Sequence, residues 1–124
     1  GEICFAVEGA LHTSALLKGQ SSRERAIEVF SQLRVWDTQY NNGVLIYLLL
    51  ADRDVEIVAD RGVDVQVGKQ GWDDICRRME DAFRQCHYQQ GVIDGINAVA
   101  ERLAHYYPAS DVHHNELPDR PVIL

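Results

Sequence analysis

The side chains best placed to do chemistry are oxygen donors. Asp37, Asn41, Asn42, Asp60 and Asp64 flank a strongly apolar run, and carboxylates with amide carbonyls are the ligands that hard cations such as Ca²⁺ and Mg²⁺ take. Whether they meet depends on how the chain returns. If a hairpin turns around Arg53, paired positions sum to about 105 or 106, which sets Asp64 opposite Asn41 or Asn42 and Asp60 opposite Leu45 or Ile46. Asp60, Asp64 and the asparagines then gather at one end of a sheet, with Asp37 entering from the preceding connection. The competing reading leaves Asn41-Asn42-Gly43 as turn chemistry and the acids solvated, because EF-hand spacing is absent and no ligand count is fixed.

Other candidates are weaker in kind. Glu8 and Asp52 fall near Gly9 at the carboxyl edge of parallel strands, the usual ligand side of an open α/β sheet. Ser21 and Ser22 open a helix whose free amides suit an anion, in competition with structural capping. Neither Gly-x-Gly-x-x-Gly nor Gly-Lys-Ser/Thr occurs, so no nucleotide or organic cofactor is expected. Cys86 precedes His87, but helical neighbours diverge by about 100°, and a core position suits Cys86 better. His113 and His114, with Asp111 and Glu116 close by, have transition-metal chemistry; in an extended tail they face opposite ways. For phosphatase chemistry, Asp52-x-Asp54 sits on a hairpin turn, and no Cys-x₅-Arg is present.

These residues are held by the stretch from Asn41 to Gly62. Val44 to Leu50 is apolar apart from the Tyr47 hydroxyl, the pattern of a central strand covered on both faces. Asp52-Arg53-Asp54 supplies turn chemistry, and Val55, Ile57 and Ala59 alternate with Glu56, Val58 and Asp60 in a returning strand. Ile3 to Val7 reads as the first strand. Ser21 with Glu24 matches a capping box, and Ala26, Ile27, Phe30 and Leu33 form the apolar stripe of the helix it opens. Strand, helix and strand make a right-handed βαβ unit. Trp72, Ile75, Cys76, Met79, Phe83 and Cys86 define a second helix from Trp72, and a third begins near Gly91 and stops at Pro108. The remainder reads as an extended tail pinned at intervals.

At 124 residues the chain is long enough to bury one core without metal or disulfide staples. A formal charge of −7 and a pI near 5.1 argue against nucleic-acid partners, since a phosphate backbone needs a basic face to displace its counterions. An unidentified protein partner is compatible with the sequence. Three cysteines, Cys4, Cys76 and Cys86, form neither an even set nor a metal spacing, which favours reduced thiols and the cytoplasm. No run approaches the ~20 apolar residues that span a bilayer, so direct membrane insertion is not expected. The chain starts almost inside a strand, so an upstream segment, with any targeting signal, is expected to be missing.

Asn42-Gly43-Val44-Leu45, Asp52 to Ile57, Gly62-Val63-Asp64 and Phe83 to Gly95 together resemble the TPM domain, a family that includes thylakoid-lumen proteins linked to photosystem II repair and many bacterial proteins of unknown role. Members usually carry Gly-x-Gly after the second hairpin strand; here Asp60-Arg61-Gly62 stands there. The resemblance implies an α/β sandwich with a helix before the first strand, divalent-metal binding in some members and weak acid-phosphatase activity in some plant members. The expected fold is therefore α/β, a mixed three-stranded sheet in βαββαα order packed between helices, an α/β/α sandwich lacking its upstream helix. Residues 1–108 form the domain and 109–124 the tail. The expected function is a non-catalytic binding or accessory domain with Ca²⁺ or Mg²⁺ at Asp37, Asn41, Asn42, Asp60 and Asp64. Metal-assisted phosphomonoester hydrolysis is the alternative, and no catalytic residue is assigned.

Overall fold

A computed structural model describes residues 2–37, 42–107 and 121–124. Among them, β1 (Glu2–Glu8), α1 (Thr13–Leu17), α2 (Ser22–Gln32), β2 (Gly43–Leu49), β3 (Asp54–Ala59), α3 (Arg61–Arg84), α4 (Tyr88–Tyr106) and β4 (Val122–Ile123) follow in chain order. The sheet is mixed and has the order β3-β2-β1-β4. It therefore has four strands, not three. Val122 and Ile123 pair parallel with Ala6 and Val7, placing an apolar pair from the expected tail against the open edge of β1.

All seven residues of β2 are buried, as its unbroken apolar run requires of a strand covered on both faces. Its even-numbered side chains, Val44, Ile46 and Leu48, pack with Phe5, Val55 and Ile57 against α3 and α4. The odd-numbered ones, Leu45, Tyr47 and Leu49, join Cys4, Ala6 and Val58 against Ala26 and Val29 of α2. This period-two division produces the α/β/α layering. Ser21 does cap α2, with reciprocal Ser21 and Glu24 bonds of 3.1 Å. Val29, rather than Ile27, is the second buried residue of that helix, because with Ala26, Phe30 and Leu33 it completes an i, i+3, i+4, i+7 face.

The hairpin register differs from expectation. Val44 pairs with Ala59 and Leu49 with Asp54, so the turn is Leu50 to Arg53, with Arg53 at φ 53. A left-handed residue at its last position lets the chain re-enter β3 directly at Asp54. Asp60 thereby falls opposite Gly43, not Leu45 or Ile46, and Asp64 leaves the sheet altogether. α3 also begins at Arg61 rather than Trp72, with a break at Gly68, and α4 begins at Tyr88. Among the described residues, no helix is long and apolar enough to cross a membrane.

Candidate functional site

Of the oxygen donors, Asp60 reaches the amino end of the parallel pair β1 and β2. Asp60 follows β3 as the N-cap of α3, a position whose side chain ordinarily turns back onto the first helical amides. Asp60 makes no such cap. Its Oδ2 instead accepts the Gly43 N–H at 3.0 Å, while its own N–H donates to the Gly43 carbonyl at 2.9 Å. Gly43 has no room for a side chain, since a Cβ would overlap the Val35 carbonyl oxygen. The segment after α2 is thus pressed against the start of β2, and neighbouring Asn42 is buried.

Asp60 is partly buried, and burial raises its carboxyl pKa against the lowering effect of the Gly43 hydrogen bond. No Lys or Arg pairs with it among the described residues. The Tyr107 hydroxyl, raised first by burial, also feels the Asp60 charge. Asp64 lies one turn along; its N–H donates to the Asp60 carbonyl at 2.9 Å, and its Oδ1 accepts the Trp72 indole N–H at 3.0 Å. Asp37 is taken by Arg34 at 2.8 Å, with both side chains more than half exposed. Asn41 lies outside the described residues.

The structure therefore brings Asp60 to Gly43, the chain neighbour of Asn42, sets Asp64 a turn away against Trp72, and leaves Asp37 in a surface pair. Among the described residues, no three His, Cys, Asp or Glu side chains form a group able to hold a metal ion. The donors at this end are all oxygens: two carboxylates, each with one oxygen engaged by a single N–H, and a buried amide. That set suits a hard cation that keeps part of its water shell, as Mg²⁺ does when held through one or two carboxylates. It does not suit an all-protein cage.

The carboxyl edge is built differently. Glu8 is 4% exposed, and Arg25 spans both its oxygens, Nε to Oε1 at 2.8 Å and Nη2 to Oε2 at 3.1 Å. The Tyr47 hydroxyl donates to Oε1 at 2.7 Å. The Arg25 hydrogen bond outweighs burial and holds the Glu8 carboxyl below its usual range, whereas burial, followed by the hydrogen bond to Glu8, pushes the Tyr47 phenol up. Ser21 is occupied by the capping box, and the Ser22 hydroxyl donates to Asp54 at 3.3 Å. Both serines act structurally here, and Asp52 lies in the exposed turn.

Cys86 is not in the core. α3 ends at Arg84, the chain reverses through Cys86 at φ 62, and the thiol is exposed. Burial raises the Cys4 thiol and, with Glu56 next in effect, pushes Cys76 up to about 12, which keeps both protonated and unreactive. Asp111, His113, His114 and Glu116 lie outside the described residues. The residue patterns do not reveal Trp72 and Tyr107 as neighbours of the acidic end, or Arg25 as the partner of Glu8. Gly68, just before the apolar helical pattern that starts at Trp72, is a sequence signal for a break there.

Residues 6–102 match the model of the TPM domain. Among solved structures, the chain is similar to the BA42 protein of the psychrophilic bacterium Bizionia argentinensis, with 30% identity and a TM-score of 0.81 over 100% of this chain and 81% of that one. It shares its fold with the N-terminal domain of a protein from P. gingivalis, at 21% identity and a TM-score of 0.70 over 92% of this chain and 68% of that one. No curated protein gives a significant match.

Proposed function

The chain belongs to the TPM domain family, and from that premise we propose that it is a non-catalytic binding domain whose Asp60 end holds Ca²⁺ or Mg²⁺. The observation that supports this reading is the Asp60 carboxylate itself. It is partly buried and accepts the Gly43 amide, and its pKa is raised, so its charge is under-compensated in the folded state. A divalent cation supplies that compensation. Asp60 is the anchoring ligand, with Asp64 and the Asn41-Asn42 segment as the further oxygen donors. Asp37 is the least engaged, because reaching the cation means leaving Arg34. The three cysteines are unpaired thiols, in keeping with a reducing compartment such as the cytoplasm.

Thermal unfolding of the chelator-treated chain, titrated with each ion, tests the reading. Binding to the native state alone adds RT ln(1 + [L]/Kd), about 2.7 kcal/mol at ~100 times Kd. The expected result is a rise in Tm that disappears in Asp60→Asn. An unchanged rise in that variant, or none at millimolar metal, overturns the site. Turnover of a generic phosphate ester that needs both the metal and Asp60 would overturn the non-catalytic reading in favour of metal-assisted phosphomonoester hydrolysis.

A further inference from the structure

β3 is an edge of the sheet, bonded to β2 on one side only. In an antiparallel strand the N–H and C=O of one residue point the same way, and that direction alternates along the chain. The Asp60 N–H, one step beyond β3, donates to Gly43 of β2, so Val55, Ile57 and Ala59 turn their backbone groups outward. Such an edge is a template for pairing with another chain. Side chains have taken two of its groups: Glu80 Oε2 accepts the Val55 N–H at 3.0 Å, and Arg23 Nη1 donates to the Ile57 carbonyl. Among the described residues, nothing meets the Ile57 N–H or the Val55 carbonyl, although Ile57 is only 2% exposed. Buried backbone groups are ordinarily paired.

A cavity of about 410 Å³ lies against this edge, lined by Arg23 from α2, Glu56 and Ile57 from β3, and Trp72, Asp73 and Cys76 from α3. Its charge is negative. Glu56, Asp64 and Asp73 line it and Glu80 adjoins it at Val55, whereas its cations, Arg23 and Lys69, already lie 3.7 Å from Glu56 and 3.3 Å from Asp73. Burial raises the Glu56 carboxyl; Arg23 opposes that rise, and Asp54, Glu80 and Asp73 add to it.

From this geometry we propose that the β3 edge docks an extended, lysine- or arginine-bearing segment of a partner protein, and that Arg23 and Glu80 hold its place until it arrives. The segment pairs with the Ile57 N–H and carbonyl, takes the Val55 N–H from Glu80, and brings its own cation to Glu56. Arg23 leaves readily, because its side chain is 49% exposed and such ion pairs contribute little. A second copy of this chain is the poorer occupant, since it brings the same acids to the same edge and like charges repel. The inference concerns β3 and does not depend on a cation at Asp60.

The test adds an alternating Lys-Val peptide to the isotope-labelled, chelator-treated chain and follows the Val55 and Ile57 amides by NMR. Both resonances should move, and the Ile57 amide should show nuclear Overhauser contacts to the peptide backbone. A Glu-Val peptide of equal length should produce neither, and this comparison needs no variant to fold. Arg23→Ala removes the placeholder and should tighten Lys-Val binding by about twofold to fivefold, the equivalent of one exposed ion pair. Glu56→Gln should weaken it. No movement at millimolar Lys-Val peptide, or equal binding of the Glu-Val peptide, overturns the proposal. Movement without contacts at Ile57 does the same, because it reports charge attraction with no added strand. Unchanged or weaker binding in Arg23→Ala overturns the placeholder role alone. Amides that shift with chain concentration before peptide is added assign the edge to a second copy and overturn the basic partner.

Discussion

Each end of the sheet carries a desolvated carboxylate, and the two are perturbed in opposite directions. At the carboxyl edge, Glu8 is less exposed to solvent, yet its pKa is lowered because Arg25 meets both oxygens and Tyr47 adds a third bond. At the amino edge, Asp60 is more exposed, yet its pKa is raised because one backbone amide is outweighed by desolvation. Burial alone therefore does not distinguish a structural acid from a candidate ligand. The number and charge of the donors does. Glu8 is internally satisfied and belongs to the packing of α2 on the sheet, whereas the Asp60 carboxylate accepts one backbone amide and pairs with no cation among the described residues.

Substitutions should separate the two ends by size and sign. The largest effect is expected from Arg25→Leu, which strands the Glu8 charge in the core; breaking a buried pair from one side costs about 3–5 kcal/mol, measurable as a fall in the urea midpoint. Gly68→Ala forces a side chain into a conformation costing about 1–3 kcal/mol. Its disturbance should be confined to the first segment of α3 and to Asp64, leaving the Tyr47 and Arg25 signals in place. Asp60→Asn should change stability by less than about 1 kcal/mol and, near neutral pH without metal, in the stabilising direction, because an amide can still accept from Gly43 without a charge to bury. A large loss in Asp60→Asn would abolish the contrast.

The pH dependence should divide in the same way. Glu8 has a lowered folded value, so its contribution is present above the ordinary carboxylate range and is lost as pH falls through that lowered value. Asp60 has a raised folded value, so its protonated form is favoured by folding. The corresponding stability is present below the ordinary range and is lost as pH rises through the raised value. Urea midpoints followed across about pH 3 to 7 should show Glu8→Gln flattening the acid-side loss and Asp60→Asn flattening the opposing slope.

Much of the fold is legible in the residues, and the exceptions have physical causes. Val44 to Leu50 announces a doubly covered strand because nothing polar but the Tyr47 hydroxyl interrupts it, and Ser21 with Glu24 marks a helix start because both capping partners are local. β4 escapes notice because two apolar residues carry no period, and its pairing depends on an edge of β1 far away in sequence. The hairpin register shifts because the left-handed conformation of Arg53 is not encoded by a glycine or asparagine. Cys86 continues the apolar helical spacing, but the helix stops first and turns the thiol outward. At the site, Asp60 and Asp64 stand out by type. The Asp64 and Trp72 contact is hidden because it spans a helix break, and the Gly43 and Asp60 exchange depends on the register that the turn residues misstate.

The most direct measurement is a site-resolved carboxyl titration of Asp60 and Glu8 by NMR, without and with Ca²⁺ or Mg²⁺. The account predicts an Asp60 midpoint above the ordinary aspartate range that falls when the cation is added, beside a Glu8 midpoint below the glutamate range that the cation leaves unchanged. An Asp60 midpoint that is already low, or one that neither ion displaces, would contradict it.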